Sequence, residues 1–148
     1  MLREELALKI SSLETEKGLA EKAYANALLN FNTAEKRLQT AQDAVDGMDD
    51  WIARAEDLGN TELANTYRTE LAEKSVELQS AAIARNSAQK ALNDAATKKK
   101  SASEALNTVT TQANTVANHA NTASMNIMKL AAIQLTNCLL YTSDAADD

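Results

Sequence analysis

Few residues of this 148-residue chain have the types and spacing that chemistry requires. His119 is the only histidine, and no cysteine or second histidine accompanies it at metal-ligand spacing. We therefore predict that His119 is solvated or packed. The sequence contains no glycine-rich phosphate loop and no motif for an activated nucleophile. It predicts no catalytic, cofactor-binding or metal-binding residues, and no enzyme activity.

A group of acidic residues lies near the middle of the chain. Carboxylates hold a hard cation only when several oxygens converge on it, whereas a charged helix places acidic residues close together freely. We favour a solvated face with cross-helix partners such as Arg68 and Lys74, and a cation site is the alternative. The carboxylates are Asp43, Asp46, Asp49, Asp50, Glu56 and Asp57.

The composition indicates that helices position all of these residues. The chain has no proline, three glycines, 29 alanines and only 3% aromatic residues. Alanine, leucine, glutamate, lysine and glutamine favour helix, whereas a sheet or a large globular core needs branched and aromatic side chains. An α/β enzyme, a β-sandwich and a disulfide scaffold are therefore disfavoured.

The arrangement of the helices follows from a heptad pattern that runs from Leu6 to Ala55 and again from Ala64 to Leu130. Residues at positions a and d of such a repeat face a partner helix in a coiled coil. We call this row of a and d residues the seam. It is rich in alanine: Ala20, Ala27, Ala34, Ala41 and Ala55 in the first half, and Ala64, Ala81, Ala88, Ala95 and Ala102 in the second.

A turn at about residues 58–61 separates the two heptad segments. Gly59 can adopt the left-handed conformation that ends a helix, and Asn60 or Thr61 can cap the next one. Folding the chain there makes an antiparallel two-helix coiled-coil hairpin in which residue i faces residue 119 − i. Small residues then face larger ones, which lets the backbones approach closely. We expect close approach at Ala27, Ala34, Ala81 and Ala88, which face Leu92, Arg85, Leu38 and Phe31.

The same register predicts the domain organisation. The hairpin should span residues 2–117, and residues 118–137 should form an overhanging helix rich in threonine and asparagine. Lys129 is the only fixed charge of that overhang. Because threonine and asparagine are poor helix formers, the overhang is expected to need a partner, for which a truncated C-terminal part beyond Asn137 is the natural candidate.

Residues 138–148 resemble one translated reading frame of a transposase-type sequencing adapter. Ten consecutive residues from Cys138 match that frame, and the eleventh is compatible with it. We interpret 138–148 as a non-native, adapter-derived tail, and exclude it from reasoning about the fold. Without its three aspartates the formal net charge of −6 becomes −3, which does not favour nucleic-acid binding.

The basic run Lys98–Lys100 is the other charged feature. In the hairpin register Lys99 faces Ala20, close to Glu14, Glu16 and Glu21. We interpret it as an electrostatic device that fixes the register of the seam. A patch for anionic lipid is the alternative.

The turn region carries a family resemblance. Trp51 begins the run Trp-Ile-Ala-Arg-Ala-Glu, and a second run, Glu-Leu-Ala, starts at Glu62 and is followed by Leu71, Glu73 and Lys74. We expect Trp51 to pack on the edge of Tyr67. Residues 51–74 thereby resemble the hairpin tip of the phage-shock-protein A family, which is ESCRT-III-like. The resemblance implies a long antiparallel hairpin in a membrane-associated, self-assembling protein. This chain departs from that family in its shorter tip and in lacking the amphipathic N-terminal membrane helix.

The sequence therefore predicts a non-enzymatic coiled-coil structural or interaction module that associates with itself or with another helical protein. One alternative is a membrane-associated assembly protein of the phage-shock-protein A type, and a second is a helical secreted or phage-particle structural component. No cofactor, nucleic acid or small-molecule substrate is expected. The charged start of the chain and the lack of a transmembrane stretch predict a cytoplasmic location.

Overall fold

A computed structural model describes the backbone of residues 2–147 and the side chains of residues 2–140. Helix α1 spans Leu2–Asp57 and helix α2 spans Thr61–Asp147. The two helices pack against each other, which confirms the predicted all-α helical hairpin. The chain divides into two compact units, one formed by Glu16–Ala102 and the other by Met1–Thr15 with Ser103–Asp148.

The turn within the first unit is built by two residues. Gly59 has a φ of 73°, and its N–H donates to the carbonyl of Glu56 at 2.9 Å. The N–H of Asn60 donates to the carbonyl of Ala55 at 2.9 Å, which completes a Schellman motif at the end of α1. The predicted role of Gly59 is therefore confirmed.

Asn60 also begins the second helix. Its side-chain Oδ1 accepts a hydrogen bond from the N–H of Leu63 at 3.1 Å, and its carbonyl accepts one from Ala64 at 3.0 Å. Between the two residues predicted as possible caps, Asn60 and Thr61, the structure selects Asn60. Asn60 thus takes part in ending α1 and also caps α2, so only residues 58–60 separate the helices.

The seam of the unit Glu16–Ala102 follows the predicted heptad. Every a and d position in this unit is buried or half-buried, whereas most other positions are exposed. The buried residues of this unit are all alanines, and in α1 they recur at every second heptad. They are Ala27, Ala41, Ala55, Ala64, Ala81 and Ala95.

Two seam alanines are less buried than expected. Ala34 and Ala88 stay half-buried, whereas Ala27 and Ala81 are buried as predicted. Arg85, which the register places opposite Ala34, directs its guanidinium towards Glu35 and therefore covers this part of the seam incompletely. Burial of the seam alanines is thus uneven along the hairpin.

The second unit has its own short seam. Val109 is its best-buried residue at 4% exposure, and Leu6, Ile10 and Leu13 are half-buried. Burial on α2 stops at Ala117, and every residue from 118 to 140 is exposed.

Threonines of the described helices satisfy their hydroxyls locally. Those of Thr108, Thr111, Thr115 and Thr136 each donate to the carbonyl four residues earlier, at 2.9–3.0 Å. Such bonds let a threonine-rich segment remain helical, although threonine contributes less to helix stability than alanine does.

Candidate functional site

The candidate functional features of the unit Glu16–Ala102 are contacts between cations and aromatic rings across the seam. The Lys99 ammonium lies 4.5 Å from the centroid of the Tyr24 ring, and the Arg85 guanidinium lies 5.2 Å from that of Phe31. All four residues occupy a positions, where a coiled coil normally buries apolar side chains. The aromatic faces attract the cations, which makes charge tolerable in the seam.

Arg85 has a second partner that holds it in place. Its Nε donates a hydrogen bond to Oε1 of Glu35 at 2.5 Å. The side chains of Arg85 and Glu35 are 34% and 42% exposed, so the ion pair remains in contact with water. The long arginine stem covers apolar surface while its guanidinium reaches the edge of the seam, a pattern known as snorkelling.

The predicted surroundings of Lys99 were wrong in part. The residue lies in the seam as expected, but its ammonium contacts the ring of Tyr24, and within the described residues it forms no ion pair with Glu14, Glu16 or Glu21. Glu21 instead lies 4.0 Å from the ammonium of Lys17 on its own helix. The ring of Tyr24 lies one helical turn closer to Gly59 along α1 than Ala20, the residue that the register places opposite Lys99.

The aromatic pair near the turn agrees with its prediction. The ring centroids of Trp51 and Tyr67 are 5.8 Å apart with a tilt of 57°, while Trp51 remains 50% exposed. The guanidinium of Arg54 lies 5.7 Å from the centroid of the Trp51 ring. Trp51 therefore packs at the edge of the seam, and the face of its indole is already in contact with a cation.

Three of the six acidic residues near the turn have polar partners. Asp43 and Asp46 accept hydrogen bonds from Gln39 and Gln42, one helical turn earlier, and Glu56 pairs with Arg68. Within the described part of the chain, no three histidine, cysteine or acidic residues are close enough together to hold a metal ion.

One of the two cross-helix partners predicted for these carboxylates was wrong, and a further ion pair between the helices was not predicted. Arg68 forms the expected ion pair, whereas Lys74 forms none among the described residues. Arg37 instead donates to Glu77 at 2.9 Å and to Ser80 at 3.2 Å. The heptad pattern could have predicted this pair, because Arg37 and Glu77 both occupy g positions, and g positions meet at the flank of antiparallel helices.

The candidate feature of the second unit is the exposed end of α2. Large apolar side chains there are more than half exposed: Met125, Ile127, Met128, Leu130, Ile133 and Leu135. His119 is exposed as well. The side chains of 141–148 lie outside the described residues, so the segment predicted to be adapter-derived is described only in part.

The fold and these contacts define an all-α protein whose two helices pack through an alanine-rich seam. The sequence matches no protein-family model, and no curated protein matches it. No described helix has a stretch of apolar residues long enough to cross a bilayer.

Proposed function

We propose that this chain is a non-enzymatic coiled-coil module that associates with itself. The observation that carries the proposal is the exposed apolar surface of α2 beyond Ala117. Ile127 is 67% exposed and Met128 is 70% exposed, in a helix whose seam positions are covered as far as Val116. Large exposed apolar patches mark sites of protein association.

The composition of the core supports the same proposal. The buried residues are six alanines and Val109, and no large side chain among the described residues is fully buried. Apolar burial contributes about 25 cal/mol per Å², and the large seam side chains are only half-buried, so the seam stabilises the hairpin only modestly. Helices gain most of their stability from packing, and association would add the burial that the hairpin lacks.

Sedimentation velocity over a hundredfold range of protein concentration tests the proposal. We expect a concentration-dependent dimer or larger assembly in the intact chain. Replacing Ile127 with Asn should shift this equilibrium towards monomer, whereas replacing the neighbouring Lys129 with Gln should leave it unchanged. A chain that stays monomeric throughout the range would contradict self-association.

The membrane-associated alternative remains a prediction that rests on the resemblance of residues 51–74. Flotation with vesicles that contain anionic lipid tests it, because Lys98–Lys100 would then be required for binding. A secreted or phage-particle component also remains a prediction. The cytoplasmic location belongs to the main proposal, and fractionation of cells that express the natural gene tests it.

A further inference from the structure

The outer face of α1, on the side away from the seam, carries charges whose sign reverses along the helix. Its centre is position f of the heptad, and every f residue between 22 and 57 is exposed. In chain order these residues are Lys22, Leu29, Lys36, Asp43, Asp50 and Asp57. The outer face of α1 is therefore basic in its first half and acidic in its second half.

The charges of this face are not matched within the hairpin. Opposite charges three or four residues apart stabilise a helix. The residues at those spacings from Lys22 and Lys36 include no acidic one, and those around Asp43 include no basic one. Within the described part of the chain neither lysine forms an ion pair, and Asp43 accepts a hydrogen bond from the neutral Gln39. The lysines and aspartates of the outer face can therefore pair with charges of another molecule.

The same polarity extends through the whole unit Glu16–Ala102. Residues 43–73, which lie beside the turn on both helices, contain nine acidic and two basic residues. The remainder of the unit contains five acidic and ten basic residues. The unit thus has an acidic end at the turn and a basic end away from it. A second copy of the unit, placed antiparallel, offers the complementary order of charges.

We infer that the outer face of α1 pairs with the same face of a second copy of this chain, antiparallel about a two-fold axis between residues 39 and 40. This pairing rests on the proposed self-association and adds a contact on α1, away from the exposed end of α2. Matching residue i with residue 79 − i sets Lys22 opposite Asp57 of the second copy and Lys36 opposite Asp43 of the second copy. The two-fold axis repeats both pairs, so the interface is closed.

The hairpin leaves room for this pairing. Helix α1 contacts α2 through positions a and d, so its f positions lie on the side that α2 does not cover. Positions b and c flank position f, and between residues 25 and 47 the only charged residue among them is Asp46. Since α1 ends at Asp57, the overlap ends at Lys22 of the second copy. Neither copy therefore meets a surface that its partner's hairpin already covers.

The pattern of charge also selects the orientation of the two copies. A parallel pairing in register would set lysine against lysine and aspartate against aspartate, which is unfavourable. Charge pairs that remain in contact with water contribute little to affinity and are screened by salt. We therefore expect the α1 pairing to weaken as the ionic strength rises, whereas association through the apolar residues of α2 should persist.

Single-cysteine variants test the position of the two-fold axis. In a Cys138→Ser background, Thr40→Cys places its two thiols on the same flank of the paired helices, about 1.5 Å apart along the helix axis. We expect oxidation at low salt to link two copies efficiently, and much less linking in about 1 M salt, where the Debye length is about 3 Å. The matched control is Gln79→Cys, because Gln79 is exposed and level with Thr40 but lies on α2. It should remain unlinked.

Charge variants test whether the lysines and aspartates select the pairing. In the Thr40→Cys background, Lys22→Asp with Lys36→Asp makes all four paired positions acidic, and Asp43→Lys with Asp57→Lys makes them basic. Each double variant alone should associate roughly tenfold more weakly or worse, because like charges then face each other. An equal mixture of the two should link as well as the parent. Circular dichroism should show unchanged helix content, since all four side chains are exposed.

Sedimentation velocity of the unoxidised chain distinguishes the α1 pairing from self-association in general. A monomer at every concentration would overturn both. An assembly in which Thr40→Cys stays unlinked, or in which Gln79→Cys links instead, would overturn the α1 pairing and leave self-association standing. The same conclusion would follow if each charge variant alone linked as well as the parent.

Discussion

Ala81 is the seam position at which a larger side chain should be tolerated least. Its exposure is 0%, and the register sets it opposite Leu38, whose side chain is half-buried. Replacing Ala81 with Leu adds three carbons where the helices leave no space. Overpacking of this kind destabilises a core by about 1–3 kcal/mol.

The matched control is Ala72→Leu on the same helix, because Ala72 is exposed. Leucine and alanine have similar helix propensities, so this change should be nearly neutral. Urea and thermal unfolding followed by circular dichroism measure both variants. For a protein of this size each kcal/mol corresponds to a change in Tm of about 2–4 °C.

A swap across the seam makes the test sharper. Combining Leu38→Ala with Ala81→Leu restores one small and one large residue in the layer. The double variant should therefore be more stable than the sum of the single effects predicts, by about 0.5–3 kcal/mol for residues in contact. Equal destabilisation by Ala72→Leu and Ala81→Leu, or strict additivity of the swap, would refute the register.

Three further expectations concern other parts of the chain. Gly59→Ala should lower the free energy of unfolding by about 1–2 kcal/mol, because the φ of Gly59 is left-handed. Gly18→Ala should raise the free energy of unfolding by about 1 kcal/mol, because an added Cβ there meets open space. Urea titration measures both changes. A double-mutant cycle of Phe31→Leu and Arg85→Met should give a coupling of about 0.5–1 kcal/mol for their contact, and a coupling of zero would contradict its stabilising role. Deleting 138–148 should leave the thermal midpoint unchanged within error by circular dichroism, and a clear loss would show that the tail belongs to the native fold.

The helices, the turn and the buried face of each helix could be predicted because each depends on backbone properties or on a repeated pattern. Gly59 has the conformational freedom that a Schellman turn needs, and a heptad repeat identifies the face of each helix that must be covered. Burial of Ala27, Ala41 and Ala55 follows from that repeat.

The partners of the long charged side chains could not be predicted in the same way. Lys99 can reach several residues on the opposite helix, and small differences in rotamer energy decide between the carboxylates and the ring of Tyr24. The half-buried state of Ala34 has the same origin, since it depends on where the guanidinium of Arg85 goes. Periodicity locates such residues in the seam but does not choose their contacts.

The turn at Asn60, which ends α1 and caps α2, affects the order in which the parts of the hairpin fold. The cross-helix pairs Arg68–Glu56, Arg37–Glu77 and Arg85–Glu35 join residues that are 12, 40 and 50 positions apart in the chain. Closing a loop costs more entropy as the loop lengthens, but each pair that forms shortens the loop that the next must close. The hairpin should therefore zip from Asn60 outwards through a succession of local steps, and its amides should exchange with solvent slowest beside the turn.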